Sequence, residues 1–326
     1  MIEYIVTGGA GFIGSAIVWE LNNLGINNIL IVDNLAANSE KWKNLVPLKY
    51  YDYVEKENFL PLLSKHAFGD DLKAVIHLGA CSSTMEKNAS YLVRNNYEYS
   101  KELAKIALQN KIRFMYASSA ATYGNGEMGY VDDENELEKL RPMNMYGYSK
   151  QMFDLWIKNN DLLHEVVGFK FTNVFGPNEW HKDDMKSLVC KAYYQILETG
   201  KIKLFKSNRE DFQDGEQKRD FIYVKDAVKM VLHFLTSGKN GIYNIGSGRA
   251  ETWNHLAKSV FKALGKTPVI DYIDMPESIS KSYQYYTKAE TVKLRDAGYG
   301  AEVTPLEDAV SDYVQNYLLP EKRLGA

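Results

Sequence analysis

The chain has 326 residues, 45% of them hydrophobic, which suffices for one large or two ordinary domains with a sizeable core and argues against disorder. A formal net charge of -3 gives no electrostatic footprint for nucleic acid, and no apolar run reaches the roughly eighteen residues that a membrane span needs. Cysteine occurs only at Cys81 and Cys190, so a disulfide framework is excluded and neither a thiolate cluster nor any other metal site is expected.

The first predicted strand, 4–6, leads directly into Thr7-Gly8-Gly9-Ala10-Gly11-Phe12-Ile13-Gly14 and then into a helical pattern over 15–24, with Ile17, Val18, Leu21 and Leu24 on one face. A structural strand this near Met1 leaves no room for a signal peptide, which makes the cytoplasm the expected compartment. The spacing Gly8, Gly11, Gly14 puts small residues where a strand turns sharply into a helix and a pyrophosphate must approach the backbone. Alone, the string also fits a tight turn with no ligand; between a strand and a helix it points to a dinucleotide. The second strand, 28–32, ends at Asp33, about twenty residues on, where a carboxylate would meet the adenosine ribose hydroxyls.

Further strands are predicted at 73–78, 112–117 and 166–171, with helices near 89–110 and 145–160. Such alternation predicts an α/β, doubly wound parallel sheet of Rossmann type, with every motif at the carboxyl end of a strand, where open parallel sheets bind their ligands. Beyond about residue 175 the pattern loosens into polar stretches, notably Ser207 to Arg219, with strand-like pieces at 220–224 and 241–245. The predicted division is a dinucleotide-binding domain of 1–174 plus 220–247, and a smaller, interleaved α/β substrate domain of 175–219 plus 248–326.

Tyr146-Gly147-Tyr148-Ser149-Lys150 sets a phenol and an ammonium one helical turn apart. The ammonium can favour the phenolate, bringing a group with an ordinary pKa near 10 towards neutrality, where it accepts or returns a proton. By itself the spacing arises often by chance and usually marks an exposed helix face. The strand exit Tyr116-Ala117-Ser118-Ser119-Ala120-Ala121-Thr122-Tyr123-Gly124 adds a serine, Ser119, able to reach both a substrate oxygen and the Tyr146 hydroxyl. Serines at a strand end also satisfy backbone groups, and the Tyr/Lys pair is what favours chemistry. In this set Lys150 holds the nicotinamide ribose and tunes Tyr146, while Ser119 orients the reacting hydroxyl.

These residues resemble the extended short-chain dehydrogenase/reductase superfamily (the NAD-dependent epimerase/dehydratase superfamily) over essentially the whole chain, from the glycine loop through Ile76-His77-Leu78-Gly79-Ala80 to Arg219-Asp220-Phe221-Ile222-Tyr223-Val224. Within it, four strings are similar to the ADP-L-glycero-D-manno-heptose 6-epimerases: 79–84, Asn95-Asn96-Tyr97, 116–124, and Gly176-Pro177 followed by His181-Lys182. The resemblance implies an isomerase that inverts C6 of an ADP-heptose for the lipopolysaccharide inner core. NADP+ would take a hydride from C6, and the ketone would be reduced again on the opposite face. It implies Tyr146 and Lys182 as the two proton-handling groups and a closed homo-oligomeric ring, a pentamer, with no nucleic-acid or membrane partner. A lysine acting as base must lose its charge through burial or a neighbouring cation; read from sequence alone, Lys182 is more often a phosphate contact or a solvated loop residue.

Carried over position by position, the resemblance puts Phe12, Ile13 and Lys182 at the cofactor, Asp33 and Asn34 at the adenosine ribose, and Lys41 and Lys56 near the extra phosphate of NADP. Leu78, Gly79, Ala80, Cys81, Ser82, Asn95, Lys150 and Val174 would line the dinucleotide. Substrate contacts would be Asn173, Asp184, Lys191, Phe205, Lys206, Ser207, Asn208, Arg219 and Tyr283, with Arg219 as a diphosphate clamp because a guanidinium pairs two oxygens at once. A surface ion pair is the other reading of Arg219. Packing is the expected role of the Cys81 thiol itself.

The chain departs from the family pattern at Asp183-Asp184-Met185, where Gly-Ser precedes the methionine, at Lys191 in place of a histidine, and in a longer polar stretch, Asp211 to Lys218. All three touch the substrate end. Asp33 normally favours NAD by repelling a 2′-phosphate, so NADP is the expectation with NAD as its alternative, and Lys41 and Lys56 would offset the repulsion. Elimination of water, as in a 4,6-dehydratase, is disfavoured because Ala120 and Ala121 stand where an acid–base pair is needed. A UDP-hexose 4-epimerase is the alternative substrate reading, and a non-catalytic dinucleotide-binding regulator is the alternative class, opposed by the intact Ser119, Tyr146 and Lys150.

Overall fold

The computed structural model describes residues 2–36, 39–69, 71–280 and 283–326, the side chains of Ser278 and Ile279 excepted. Its centre is a seven-stranded, all-parallel sheet of order β11-β6-β5-β4-β1-β2-β3. The strands are β1 (Tyr4–Thr7), β2 (Ile29–Asp33), β3 (Asp52–Glu55), β4 (Ala74–His77), β5 (Arg113–Ser119), β6 (Val166–Phe171) and β11 (Gly241–Ile245). Three two-stranded pairs stand outside it: β7 (Asn173–Phe175) with β10 (Phe221–Tyr223), β8 (Ile202–Phe205) with β13 (Ile270–Ile273), and β9 (Lys218–Arg219) with β12 (Glu251–Thr252).

Every residue of β2, β4, β6 and β11 is buried, because helices cover both faces of the sheet and leave the strands no solvent side. The helices are α1 (Phe12–Asn23), α2 (Lys56–Ser64), α3 (Ala89–Leu92), α4 (Tyr99–Gln109), α5 (Met145–Asn159), α6 (Leu188–Thr199), α7 (Val224–His233) and α8 (Trp253–Ala263). One apolar cluster packs α1, α7 and β6 together with α6, α8 and the C-terminal helix Leu306–Tyr313; a second lies between β4, β5, α4 and α5.

The strands read from the sequence are present within two residues of their expected ends, and 241–245 takes the far edge of the same sheet. Two expectations differ from the structure. Edge strand β3 and helix α2 had no counterpart, since four residues alternating on an edge give too short a period to read. The predicted helix over 89–110 is not uniform: Val93–Glu98 is π-helical between α3 and α4, which places Asn95 and Asn96 against the strand exits.

The chain reverses direction across the sheet between β1 and β4. Register aligns Thr7 with Val32 and with His77, and His77 with Tyr116, so the residues following all four strands open onto one crevice.

Candidate active site

The glycine loop is shaped by contacts that exclude side chains. Gly8 has φ +70°, and a Cβ there would lie 2.7 Å from the Gly79 nitrogen; one on Gly14 would lie 2.0 Å from the Gly8 oxygen. Gly11 differs, meeting only the Gly8 oxygen, at 3.1 Å, so its other side stays open for a ligand to approach the backbone. Gly11 is also the N-cap of α1 and caps it with no side chain, leaving the first-turn amides of Phe12 and Ile13 facing the crevice with the positive end of the helix dipole. That cradle fits a dinucleotide diphosphate.

Asp33 closes the end of the crevice next to the glycine loop. Its carboxylate accepts from the Ala10 N–H at 2.9 Å, from the Asn34 N–H at 2.7 Å and from the Lys41 ammonium at 2.8 Å. Lys41 is therefore paired with Asp33. Lys56 bonds the Asn95 side chain and lies 5.0 Å from the Tyr99 ring centre, and burial lowers its pKa. It reaches the crevice from the Asn95 side.

Below the crossing of β1 and β4 a polar chain holds the exits in register. His77 Nδ1 bonds Thr7 Oγ1 at 2.6 Å and its Nε2 bonds Ser100 Oγ at 2.8 Å, while burial pushes its pKa down to about 3 and keeps the ring neutral. Asn96 then pins the Leu78–Ser82 loop, accepting from the Cys81 N–H at 2.9 Å, donating to its carbonyl at 2.9 Å and to Ser149 on α5 at 3.1 Å. Cys81 is half-buried against that loop.

Helix α5 begins at Asn144, whose side chain accepts from the Gly147 N–H at 2.8 Å. This start brings Tyr146 to the end of β5, where Ser119 is the neighbour that lowers the phenol's pKa; the Ser119 Oγ accepts from the Ala121 N–H at 3.1 Å. Lys150 is buried on the same helix face and donates to the Ala117 carbonyl at 2.7 Å, and burial pushes it down to about 8. The expected pull of Lys150 on the phenol is not what governs Tyr146 here. Burial raises the Tyr146 pKa and only the Ser119 hydrogen bond opposes it, because the ammonium is turned to a backbone carbonyl.

Lys182 lies on the loop between β7 and α6, half-buried, 5.3 Å from the Phe12 ring centre, with its pKa lowered by burial. This places it at the mouth of α1. Among the described residues no hydrogen bond or ion pair joins it to Tyr146. Neighbouring His181 is pushed down to about 4 by burial and then by Lys41 and Lys182. Val174 is half-buried and Asn173 exposed at the end of the β7–β10 pair.

Where substrate contacts are expected, Arg219 is buried with its guanidinium 5.1 Å from the Tyr283 ring and 5.6 Å from the Trp253 ring; it donates to the Lys218 carbonyl at 2.9 Å and to that of Gln284. Phe205 meets Tyr283 edge-on at 6.3 Å. Lys206 pairs with Asp274 at 3.0 Å, while the Ser207 and Asn208 amides donate to Asp214 and to the Tyr285 hydroxyl. Lys191 donates to the Asp184 carbonyl at 2.5 Å, in a separate surface group with Lys186 and Tyr194. The sequence reading omitted Trp253, whose indole N–H donates to Tyr283 at 2.9 Å. It also omitted Asp154 and Lys170, a fully buried ion pair at 2.8 Å behind Ser118. Trp253 opens a helix of ordinary amphipathic pattern, and nothing in the sequence separates it from a core residue.

Fold and crevice together define a dinucleotide-binding α/β protein with a Ser/Tyr/Lys set at its strand exits. The chain belongs to the NAD dependent epimerase/dehydratase family, whose model matches residues 4–246. It is 51% identical over 316 residues to the ADP-L-glycero-D-manno-heptose-6-epimerase of Nitratidesulfovibrio vulgaris strain Hildenborough, covering 97% of this chain and 98% of that one. It is 48% identical to the protein of the same name from Fusobacterium nucleatum, again covering 97% and 98%. Among solved structures, the Helicobacter pylori ADP-L-glycero-D-manno-heptose-6-epimerase superposes with a TM-score of 0.80 at 27% identity, over 97% of this chain and 96% of that one. A UDP-N-acetylglucosamine 4-epimerase from Methanobrevibacter ruminantium also gives 0.80, at 25% identity over 99% and 100%.

Proposed function

We propose that this protein is an ADP-glycero-manno-heptose 6-epimerase, acting in the synthesis of the heptose of the lipopolysaccharide inner core. The observation that carries the reading is the Tyr146 hydroxyl beside Ser119 at the end of β5, in a chain about half identical to curated epimerases of that name along nearly its full length. The cofactor is a nicotinamide dinucleotide, which when bound accepts the hydride from C6 and returns it.

Ser119 orients the C6 hydroxyl; in one epimer direction Tyr146 takes its proton as the hydride leaves and Lys182 gives a proton to the ketone oxygen as the hydride returns on the other face, and in the reverse direction the two exchange these roles. Lys150, one turn on, has its Nζ at the Ala117 carbonyl, where the nicotinamide ribose would lie against α5. Reduction on the opposite face needs a second proton-handling group, and Lys182 is our assignment: burial already lowers its pKa, as a lysine base requires. Its place at the mouth of α1 also suits a contact to the cofactor diphosphate. Arg219, held between Trp253 and Tyr283, is assigned to the substrate diphosphate, with Phe205 to Asn208 beside it. NADP is our choice of cofactor, since the Asp33 charge is already balanced by Lys41.

The test is incubation with ADP-D-glycero-D-manno-heptose, with UDP-glucose in parallel, followed by NMR of the sugar. Inversion at C6 is expected; an unchanged C6 with turnover at C4 of the UDP-sugar would move the chain to the 4-epimerases. Cofactor released from the purified protein should carry the 2′-phosphate, and NAD alone would reverse that choice. Lys182→Met should slow one epimer direction more than the other in single turnover, whereas equal, minor losses would leave Lys182 a binding residue.

A further inference from the structure

The loop from Gly176 to Ser187, which carries His181 and Lys182, contains Glu179, only 1% exposed. One carboxylate oxygen accepts from the Ser187 hydroxyl at 2.7 Å and the Gly176 N–H at 3.5 Å; the other accepts from the Ser187 N–H at 2.5 Å. A single side chain thus joins the two ends of the loop. The Glu179 carbonyl also accepts from the Lys182 N–H at 3.0 Å, so the lysine's backbone is fixed to the residue that closes the loop. Ser187 is the N-cap of α6, its Oγ accepting from the Cys190 N–H at 3.3 Å, which extends the clasp into a helix. The loop is not rigid by its own geometry: Asp183 has φ 43°, a left-handed conformation that a non-glycine residue holds only under constraint.

We propose that Glu179 is a positioning residue, a buried carboxylate that ties Gly176 to Ser187 and thereby sets the place and the charge of Lys182 at the mouth of α1. This rests on the reading of Lys182 as a proton-handling group. Its electrostatic surroundings are limited. Lys182 faces the Phe12 ring from α1 and His181 from its own loop, and Glu179 is the neighbour that opposes the effect of burial on it. Glu179 in turn faces Ser187 and Lys182 from the loop, Cys190 from α6 and Tyr313 from the C-terminal helix. Among the described residues Glu179 and Lys182 form no ion pair, so the carboxylate leaves the ammonium free for a ligand.

The experiment uses the full chain with bound cofactor, lysines labelled with carbon-13 at the ε position, and the Lys182 resonance assigned from its loss in Lys182→Met. Glu179→Gln should lower the Lys182 pKa by about 0.5 to 1 pH unit, since an opposing negative charge is removed. The limb of the pH–kcat profile that follows Lys182 should move down with it, while KM changes less than twofold. Glu179→Asp keeps the charge and should restore most of the Lys182 titration even if Glu179→Gln folds poorly. A Lys182 titration unmoved in Glu179→Gln, with only the unfolding midpoint lowered, would make Glu179 a purely structural residue and overturn the proposal. A moved titration with an unmoved pH–kcat limb would uphold the positioning role and remove Lys182 from proton transfer.

Discussion

Asp154 and Lys170 offer the largest single perturbation of the scaffold beneath the site. Their side chains are 0% and 1% exposed, and the ammonium lies 2.8 Å from the carboxylate. Asp154 also accepts from the Tyr116 hydroxyl at 2.9 Å and the Ser118 hydroxyl at 2.7 Å, and Lys170 donates to Thr122 at 2.7 Å. The pair therefore links α5, which carries Tyr146 and Lys150, to β5, β6 and the turn after Ser119. Removing one partner leaves the other charge buried without compensation, at a cost of about 3–5 kcal/mol. Lys170→Met should fall in that range, since Asp154 keeps its two hydroxyl donors but loses its cation. Asp154→Leu should cost at least as much, because it strands Lys170 and leaves Tyr116 and Ser118 without an acceptor, about 1–3 kcal/mol for each. The double variant removes both charges, so its loss should be smaller than the sum of the singles by about 2 kcal/mol or more. Equilibrium urea unfolding of the wild type and all three variants measures the cycle. Single losses below about 1 kcal/mol, or additivity within about 0.5 kcal/mol, would refute the argument that each buried charge is compensated by the other.

Tyr146→Phe should lower kcat by about two to four orders of magnitude while the cofactor still binds, and a loss below tenfold would take the phenol out of proton transfer. His77, held neutral with a pKa of about 3, binds a proton less readily folded than unfolded, where the ordinary value is about 6.5. Stability tied to it is complete above pH 6.5 and is lost as pH falls towards 3, by up to about 1.4 kcal/mol per pH unit, so His77→Asn should flatten the pH dependence of the urea midpoint in that window. An unchanged slope would assign the acid sensitivity elsewhere. Leu324 is fully buried, its N–H donating to Asn178 at 3.1 Å, and Asn178 in turn donates to Ser15 of α1 at 2.9 Å. Leu324→Ala should cost about 2–5 kcal/mol in urea unfolding and weaken cofactor binding, and an unaltered cofactor Kd would separate this segment from the α1 cradle.

The sequence by itself determined the parallel sheet and the cofactor cradle, because both are written in short range. Strands buried on both faces give apolar runs such as 29–32 and 74–76, and Gly8 and Gly14 are needed where backbone meets backbone within 3 Å of a would-be Cβ, while Gly11 leaves the helix mouth open. Tyr146 and Lys150 were legible for the same reason, since one helical turn fixes their common face. What only the tertiary structure decided is where each charge ends up. Lys150 turns to the Ala117 carbonyl, Lys56 to Asn95, and Arg219 lies between Trp253 and Tyr283, while Lys182 rests over Phe12. Those partners lie 33 to 170 positions away along the chain, and a long flexible cation takes the acceptor that packing brings to it, which no local pattern of residues encodes.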